Sequence, residues 1–177
     1  MTKLQRWFVR LAFWGFFIFA AVDLHGAFHF LLLNSILAYV PIELSFWLTP
    51  RRSPLLFWLI AVIWLLFYPN APYLMTDLFH LSLLKPYGIN GLLRFDLPMW
   101  RDFAYLVGPM MVSTIIGTWG VDRIAQQLTQ RLHFQRLPAS RGIICAALFL
   151  FASVGVYVGR FLRLHSIYLL ITPQYIV

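Results

Sequence analysis

The chain has very little charge: aspartate, glutamate, lysine and arginine make up 11% of its 177 residues, against 61% apolar and 18% aromatic. So few polar side chains cannot cover that much apolar surface in water, which excludes a soluble globular domain and leaves a membrane protein. Acidic residues are scarcest, 6 against 14 basic. The single cysteine, Cys145, allows no internal disulfide, and its apolar setting suits a packed small hydrophobe. There is no HExxH, no CxxC and no phosphate-binding loop, so the common zinc, redox and nucleotide signatures are missing. Repeats, low-complexity tracts and linkers are also missing, and one integral membrane domain over residues 1–177 is expected.

The charge that is present is placed by the apolar blocks. A net +8 would suggest nucleic acid in a soluble domain. Here Lys3, Arg6 and Arg10 open the chain, Arg51 and Arg52 follow the second apolar block, and Arg123, Arg131, Arg136 and Arg141 follow the fourth. These nine of the 14 basic residues lie on every second connection, leaving Lys85, Arg94, Arg101, Arg160 and Arg163 for the other side. The positive-inside rule then puts the N-terminus in the cytoplasm of a multi-pass protein of the cell membrane. The expected partner is membrane lipid, not nucleic acid.

The pattern predicts an all-α fold, a bundle of about five spans. The first covers roughly Trp7 to Val22; its basic start resembles a secretory signal, but the bulky Trp14, Phe16, Phe17 and Phe19 favour an uncleaved anchor. The second runs from about Gly26 to Leu48, and the third starts at Ser53-Pro54, a capping serine followed by a first-turn proline. The fourth covers roughly Arg101 to Val121 and the fifth Gly142 to Arg160. Trp7, Trp47, Trp58, Trp100 and Trp119 fall near the expected ends, as interfacial anchors.

The third helix is interrupted by FYPNAPYLMTDLFH, residues 67–80. From Ser53 to Tyr68 it rises only about 24 Å, short of a hydrocarbon core about 30 Å thick. Pro69 and Pro72 each lack an N–H, so the helix is expected to break there, near the outer face. Irregular backbone at that depth needs protein or a wet cavity around it. Asn70 is placed to cap a short amphipathic helix, on which Tyr73, Thr76, Asp77 and His80 share an arc of about 100° at the α-helical period. Asp77, three residues from His80 and four from Tyr73, is positioned to accept hydrogen bonds from both and to raise the basicity of the imidazole. The catalytic candidates are therefore Asp77 and His80. An alternative is an amphipathic helix lying on the interface with its wet side outward.

Topology brings further residues to the same side. Asp102 opens the fourth helix, and Arg160 and Arg163 close the fifth, where Gly155 and Gly159 of GVYVG allow close helix approach. Asn70, Tyr73, Thr76, Asp102, Arg160 and Arg163 are the ligand-binding candidates, the arginines suiting a phosphate or carboxylate or, alternatively, snorkelling to headgroups. Asn34 inside the second helix is read as interhelical glue, and Glu43 is expected to reach Arg51, Arg52 or Arg123 or to stay protonated. Gly108-Pro109 suggests a kink in the fourth helix, and Ser113, Thr114, Gly117 and Thr118 a close-packed face. No metal is expected; the one speculative set joins His25 and His29, four apart, to His80. The sequence names no cofactor.

FYPNAPYLMTDLFHL, together with LLLNSILAYVPI upstream, WRDF in the middle and GVYVGRFLRLHS near the end, resembles the bacterial integral membrane family catalogued as domain of unknown function number 1361. The resemblance runs from about residue 30 to residue 170 and implies a polytopic helical protein of the bacterial cytoplasmic membrane. It implies no activity. The family pattern has asparagine where His165 stands and continues into a further span, whereas this chain ends at ITPQYIV, as a short member with its C-terminus outside or one without its final helix. Three function classes follow: an enzyme acting on a lipid headgroup or lipid-linked substrate, a binding or transport component for a small anion working as a homo-oligomer, and a structural envelope protein.

Overall fold

The computed structural model describes residues 1–24, 30–134 and 139–161. Among these the regular structure is helical, apart from an isolated bridge between Tyr87 and Leu93. Helix α1 (Lys3–Asp23) starts in a capping box, in which Thr2 Oγ1 accepts from Gln5 N and the Gln5 side chain accepts from Thr2 N. Helix α2 (Phe30–Trp47) carries Pro41 inside it. Helices α3 (Pro54–Phe67) and α4 (Asn70–Tyr73) and a 3₁₀ helix (Leu74–Leu84) form one bent rod, followed by α5 (Leu97–Arg131) and α6 (Ser140–Phe161). The expected break at Pro69-Pro72 is present.

Four of these rods, Phe30–Trp47, Pro54–Leu84, Leu97–Arg131 and Ser140–Phe161, are long and apolar enough to cross a membrane. Helix α1 is not among them: its first turns carry Lys3, Arg6 and Arg10, and it packs Val9, Phe13 and Phe17 against Ile42 and Phe46 of α2. With α1 the bundle has the five rods expected. Outward-facing Leu55 on α3 and Leu150 and Phe161 on α6 are exposed, as lipid-facing residues are.

The fourth span is longer than hydropathy suggests. Asp96 accepts from Met99 N at 3.0 Å and Pro98 sits in the first turn, so α5 begins four residues before Arg101. At the other end it runs ten residues past Val121, and its 35 residues span about 52 Å, more than a core of about 30 Å needs. The surplus is tied down by polar contacts: Arg131 Nη1 donates to Pro50 O at 3.0 Å and Arg141 Nε donates to Asp122 Oδ1 at 2.8 Å. The interior between α2, α3, α5 and α6 is filled by Leu48, Phe57, Trp64, Tyr68, Val121, Ile124 and Ala152, with Trp64 and Tyr68 stacked at 4.8 Å.

Glu43 corrects one expectation. Antiparallel packing of α1 on α2 brings Arg10 to it, with Nε and Nη2 at 2.9 and 2.5 Å from the two carboxylate oxygens. Tyr39 OH donates to one oxygen at 2.8 Å and Trp47 Nε1 to the other at 2.6 Å. Arg52 instead donates to Trp47 O, and Arg123 to Ser45 O. A carboxylate accepting four hydrogen bonds is a clamp between two helices.

Candidate functional site at the helix break

The break is built from hydrogen bonds that two prolines cannot make. Ala71 N turns to Tyr68 O at 3.0 Å, and Phe67 O, left without that amide, accepts Asn70 Nδ2 at 2.9 Å. Asn70 therefore does not cap the next helix as expected: Pro69 holds the cap position and the amide repairs the helix before it. Tyr73 N then bonds Pro69 O at 3.0 Å and the chain winds on.

Two glycines seat this segment. A Cβ on Gly117 of α5 would stand 2.9 Å from Ala71 Cβ, and one on Gly155 of α6 would stand 2.7 Å from Pro69 Cβ and closer to its Cγ. Gly159 lies one turn on, where a Cβ would meet the Tyr73 ring at 3.4 Å. The close approach read from GVYVG is thus made to the break itself.

Beyond Tyr73 the helix is 3₁₀, not α, which redistributes the polar residues. In a 3₁₀ helix residues i and i+3 eclipse, so Asp77 and His80 share a row with Leu74, while Tyr73, Thr76 and Ser82 share the next with Phe79. The single polar face expected from a 100° period divides into two. Asp77 is buried, 3% exposed, and its Oδ2 accepts Asn34 Nδ2 from α2 at 2.8 Å. The glue role expected of Asn34 is thereby given a partner.

His80 Nδ1 lies 3.0 Å from the Asp77 main-chain carbonyl, not its carboxylate. A carbonyl only accepts, so Nδ1 carries a proton in this contact, and the ring's other nitrogen is Nε2. That nitrogen makes no hydrogen bond among the described residues. The ring is fixed from the other side by Phe30 of α2, 4.2 Å between centroids. Arg160 lies over the Phe79 ring at 5.6 Å.

The remaining candidates are placed as follows. Thr76 Oγ1 donates to Tyr73 O at 2.7 Å. Asp102 pairs with its neighbour Arg101 at 3.2 Å on the first turns of α5. Arg163, His25 and His29 lie outside the described residues, and among the described residues no three His, Cys, Asp or Glu side chains gather as a metal set. A groove of about 370 Å³ beside the break is lined by Tyr68, Pro72 and Thr76 from the bent rod, with Thr118 of α5 and Ser153 of α6 across from them. Hydropathy and the α-helical period gave no sign of it, because its hydroxyls come from three separate helices.

The sequence model of the family described as "Protein of unknown function (DUF1361)" matches residues 33–177. The chain belongs to the DUF1361 family. No curated protein and no solved structure matches it. The DUF1361 match begins one residue before Asn34 and takes in the break, Asp77, His80, Gly117 and Gly155, whereas α1 with Arg10 lies ahead of it.

Proposed function

We propose that this DUF1361 protein carries, on the outer side of the cytoplasmic membrane, a polar site that binds or acts on a lipid headgroup or another small anionic ligand. The orientation rests on the basic residues clustered at the end where α1 starts and α5 finishes, which the positive-inside rule assigns to the cytoplasm. The site reading rests on His80. Its ring is held between the Asp77 carbonyl and Phe30 with Nε2 unengaged among the described residues, and it stands one position from the Phe79 ring that carries Arg160. A pinned imidazole suits proton transfer or hydrogen bonding to a ligand, and a guanidinium suits a phosphate or carboxylate. In this reading Asp77 and Asn34 form the frame that positions His80, and ionisable groups at membrane depth favour a use.

A structural role is the second reading. It is supported by Asn70, Thr76 and Ser82, each of which donates to a carbonyl three residues back, as groups that merely satisfy a helix do. Complementation separates the two in a host where deleting the gene gives an envelope phenotype. His80→Gln keeps polarity and approximate size; the site reading requires that it accumulate normally and fail to complement. Full complementation by a protein carrying His80→Gln and Asp77→Asn together would leave the structural role.

A further inference from the structure

An apolar groove of about 290 Å³ runs along the seam between α1 and α5, with Phe13, Phe16 and Phe19 on one wall and Tyr105, Gly108 and Val112 on the other. Gly108 leaves it open, since a Cβ built there would meet nothing within 4 Å. One end of the groove is marked by Phe19 and Tyr105, whose rings meet edge-on at 5.0 Å, and the other by Phe13 and Val112. Beyond the first end stand two charges, one for each wall. The Arg101 guanidinium lies over the Tyr105 ring at 5.8 Å, and Arg101 is seven residues from Gly108 and eleven from Val112, within about 20° of the stripe they form on α5. Asp23 closes α1 seven residues from Phe16, again within about 20° of the stripe that lines the groove. It is exposed and makes no ion pair among the described residues. Arg101 donates to Asp102 Oδ1 through Nε alone, at 3.2 Å, and its two Nη groups make no hydrogen bond among the described residues.

The depth of the groove fits one leaflet. From Arg101 to Val112 is about 16 Å along α5, and from Asp23 to Phe13 about 15 Å along α1. Half of a hydrocarbon core about 30 Å thick is about 15 Å, the depth an acyl chain of that leaflet occupies. The charges at the mouth narrow the headgroup. A guanidinium on one wall suits a phosphate, and a carboxylate on the other suits an ammonium. With Asp102 beside Arg101 the mouth has two carboxylates to one guanidinium, which disfavours a net anionic headgroup. A quaternary ammonium lacks the N–H donors that Asp23 would accept, so a primary amine is the better match.

We propose that the seam between α1 and α5 holds a zwitterionic glycerophospholipid with a primary amine, its phosphate on Arg101, its ammonium on Asp23 and one acyl chain in the groove. The paired charges supply the headgroup selectivity, and the groove distinguishes a lipid from its soluble headgroup. Gly108 and Gly117, nine residues apart, lie on opposite faces of α5, so this site is separate from the helix break and the proposal does not rest on the reading of His80.

The test uses the full chain in mild detergent, with native mass spectrometry counting retained phosphatidylethanolamine, phosphatidylglycerol and phosphatidylcholine. Wild type should retain phosphatidylethanolamine preferentially; equal retention of the three would mean unselective surrounding lipid and overturn the site. Asp23→Asn should lower retention of phosphatidylethanolamine about fivefold, the leverage of one exposed charge, and remove its preference over the other two. Arg101→Gln should lower retention of all three, because each carries the phosphate. Lys85→Gln takes an exposed charge from the same end of the bundle and should change little. Gly108→Leu should obstruct the groove and lower retention with both charges intact. Helical content by circular dichroism is checked for each variant, and if Gly108→Leu does not fold, Ala104→Leu on the same wall takes its place. A loss in Lys85→Gln equal to that in Arg101→Gln would mean diffuse attraction and overturn the site. Displacement of the lipid by excess soluble glycerophosphoethanolamine, with the groove variant without effect, would mean a headgroup site with no acyl seat and would equally overturn it.

Discussion

Replacing Gly155 by alanine tests whether α6 holds the helix break. The added methyl would stand 2.7 Å from Pro69 Cβ and closer to Cγ, below the 3.0 Å that real Cβ contacts keep. Pro69 cannot relieve this by changing rotamer, because its ring is closed onto the backbone, so α6 and the break must move apart. Overpacking of this kind costs about 1–3 kcal/mol. Alanine also gains about 1 kcal/mol over glycine in a helix, which hides part of the cost. Gly15→Ala in α1 supplies the reference, since a Cβ there meets nothing within 4 Å and only the helical gain remains. The difference between the two variants isolates the clash, and Gly155→Ala should be less stable than Gly15→Ala by about 1–3 kcal/mol. Gly159→Ala, whose Cβ would make ordinary contact with the Tyr73 ring at 3.4–3.5 Å, should lie near the reference. Titration with sodium dodecyl sulfate out of mixed micelles, followed by far-UV circular dichroism, ranks the three. Equal midpoints for Gly155→Ala and Gly15→Ala would refute the seating of Pro69 on α6.

Two further outcomes follow from the opposite end of the bundle and from the orientation. Glu43→Ala strands the Arg10 guanidinium, which now makes contacts of 2.9 and 2.5 Å, and should cost about 2–3 kcal/mol in the same titration; Arg10→Met in that background should recover part of it, whereas additive losses would show that the clamp is not a unit. In a Cys145→Ala background, Ile89→Cys on the exposed α4–α5 connection should react with an impermeant thiol reagent in intact cells and Arg51→Cys should not, the reverse pattern overturning the proposed orientation.

The rods and the break were legible in the sequence because each has a one-dimensional signal. Bilayer thickness sets a minimum apolar length, and Pro69 and Pro72 remove donors wherever they stand. The winding of Leu74–Leu84 was not legible. Leu74, Leu78, Leu81 and Leu84 satisfy a three-residue repeat and a four-residue repeat about equally, so 11 residues do not separate 100° from 120° per residue. The start of α5 was missed for another reason: Asp96-Leu97-Pro98 is a capping signal that a hydropathy window averages away.

The sequence offered candidate site residues but not the bonds among them. Asn34 and Asp77 were each singled out, but their 2.8 Å bond spans 43 residues and depends on the register of α2 against the 3₁₀ helix. Gly155 and Gly117 carried a close-packing signal without naming Pro69 and Ala71 as what they pack on. Those partners change the weight of the interfacial-helix alternative. An amphipathic helix resting on the membrane surface is held by lipid along one side. Here α6 touches the break at Pro69, α5 at Ala71, and α2 reaches Asp77 through Asn34, so three helices fix three successive points of one short segment. Backbone held from three directions is rigid where a surface helix is mobile, and rigidity is what keeps the His80 ring in one orientation beside its carbonyl.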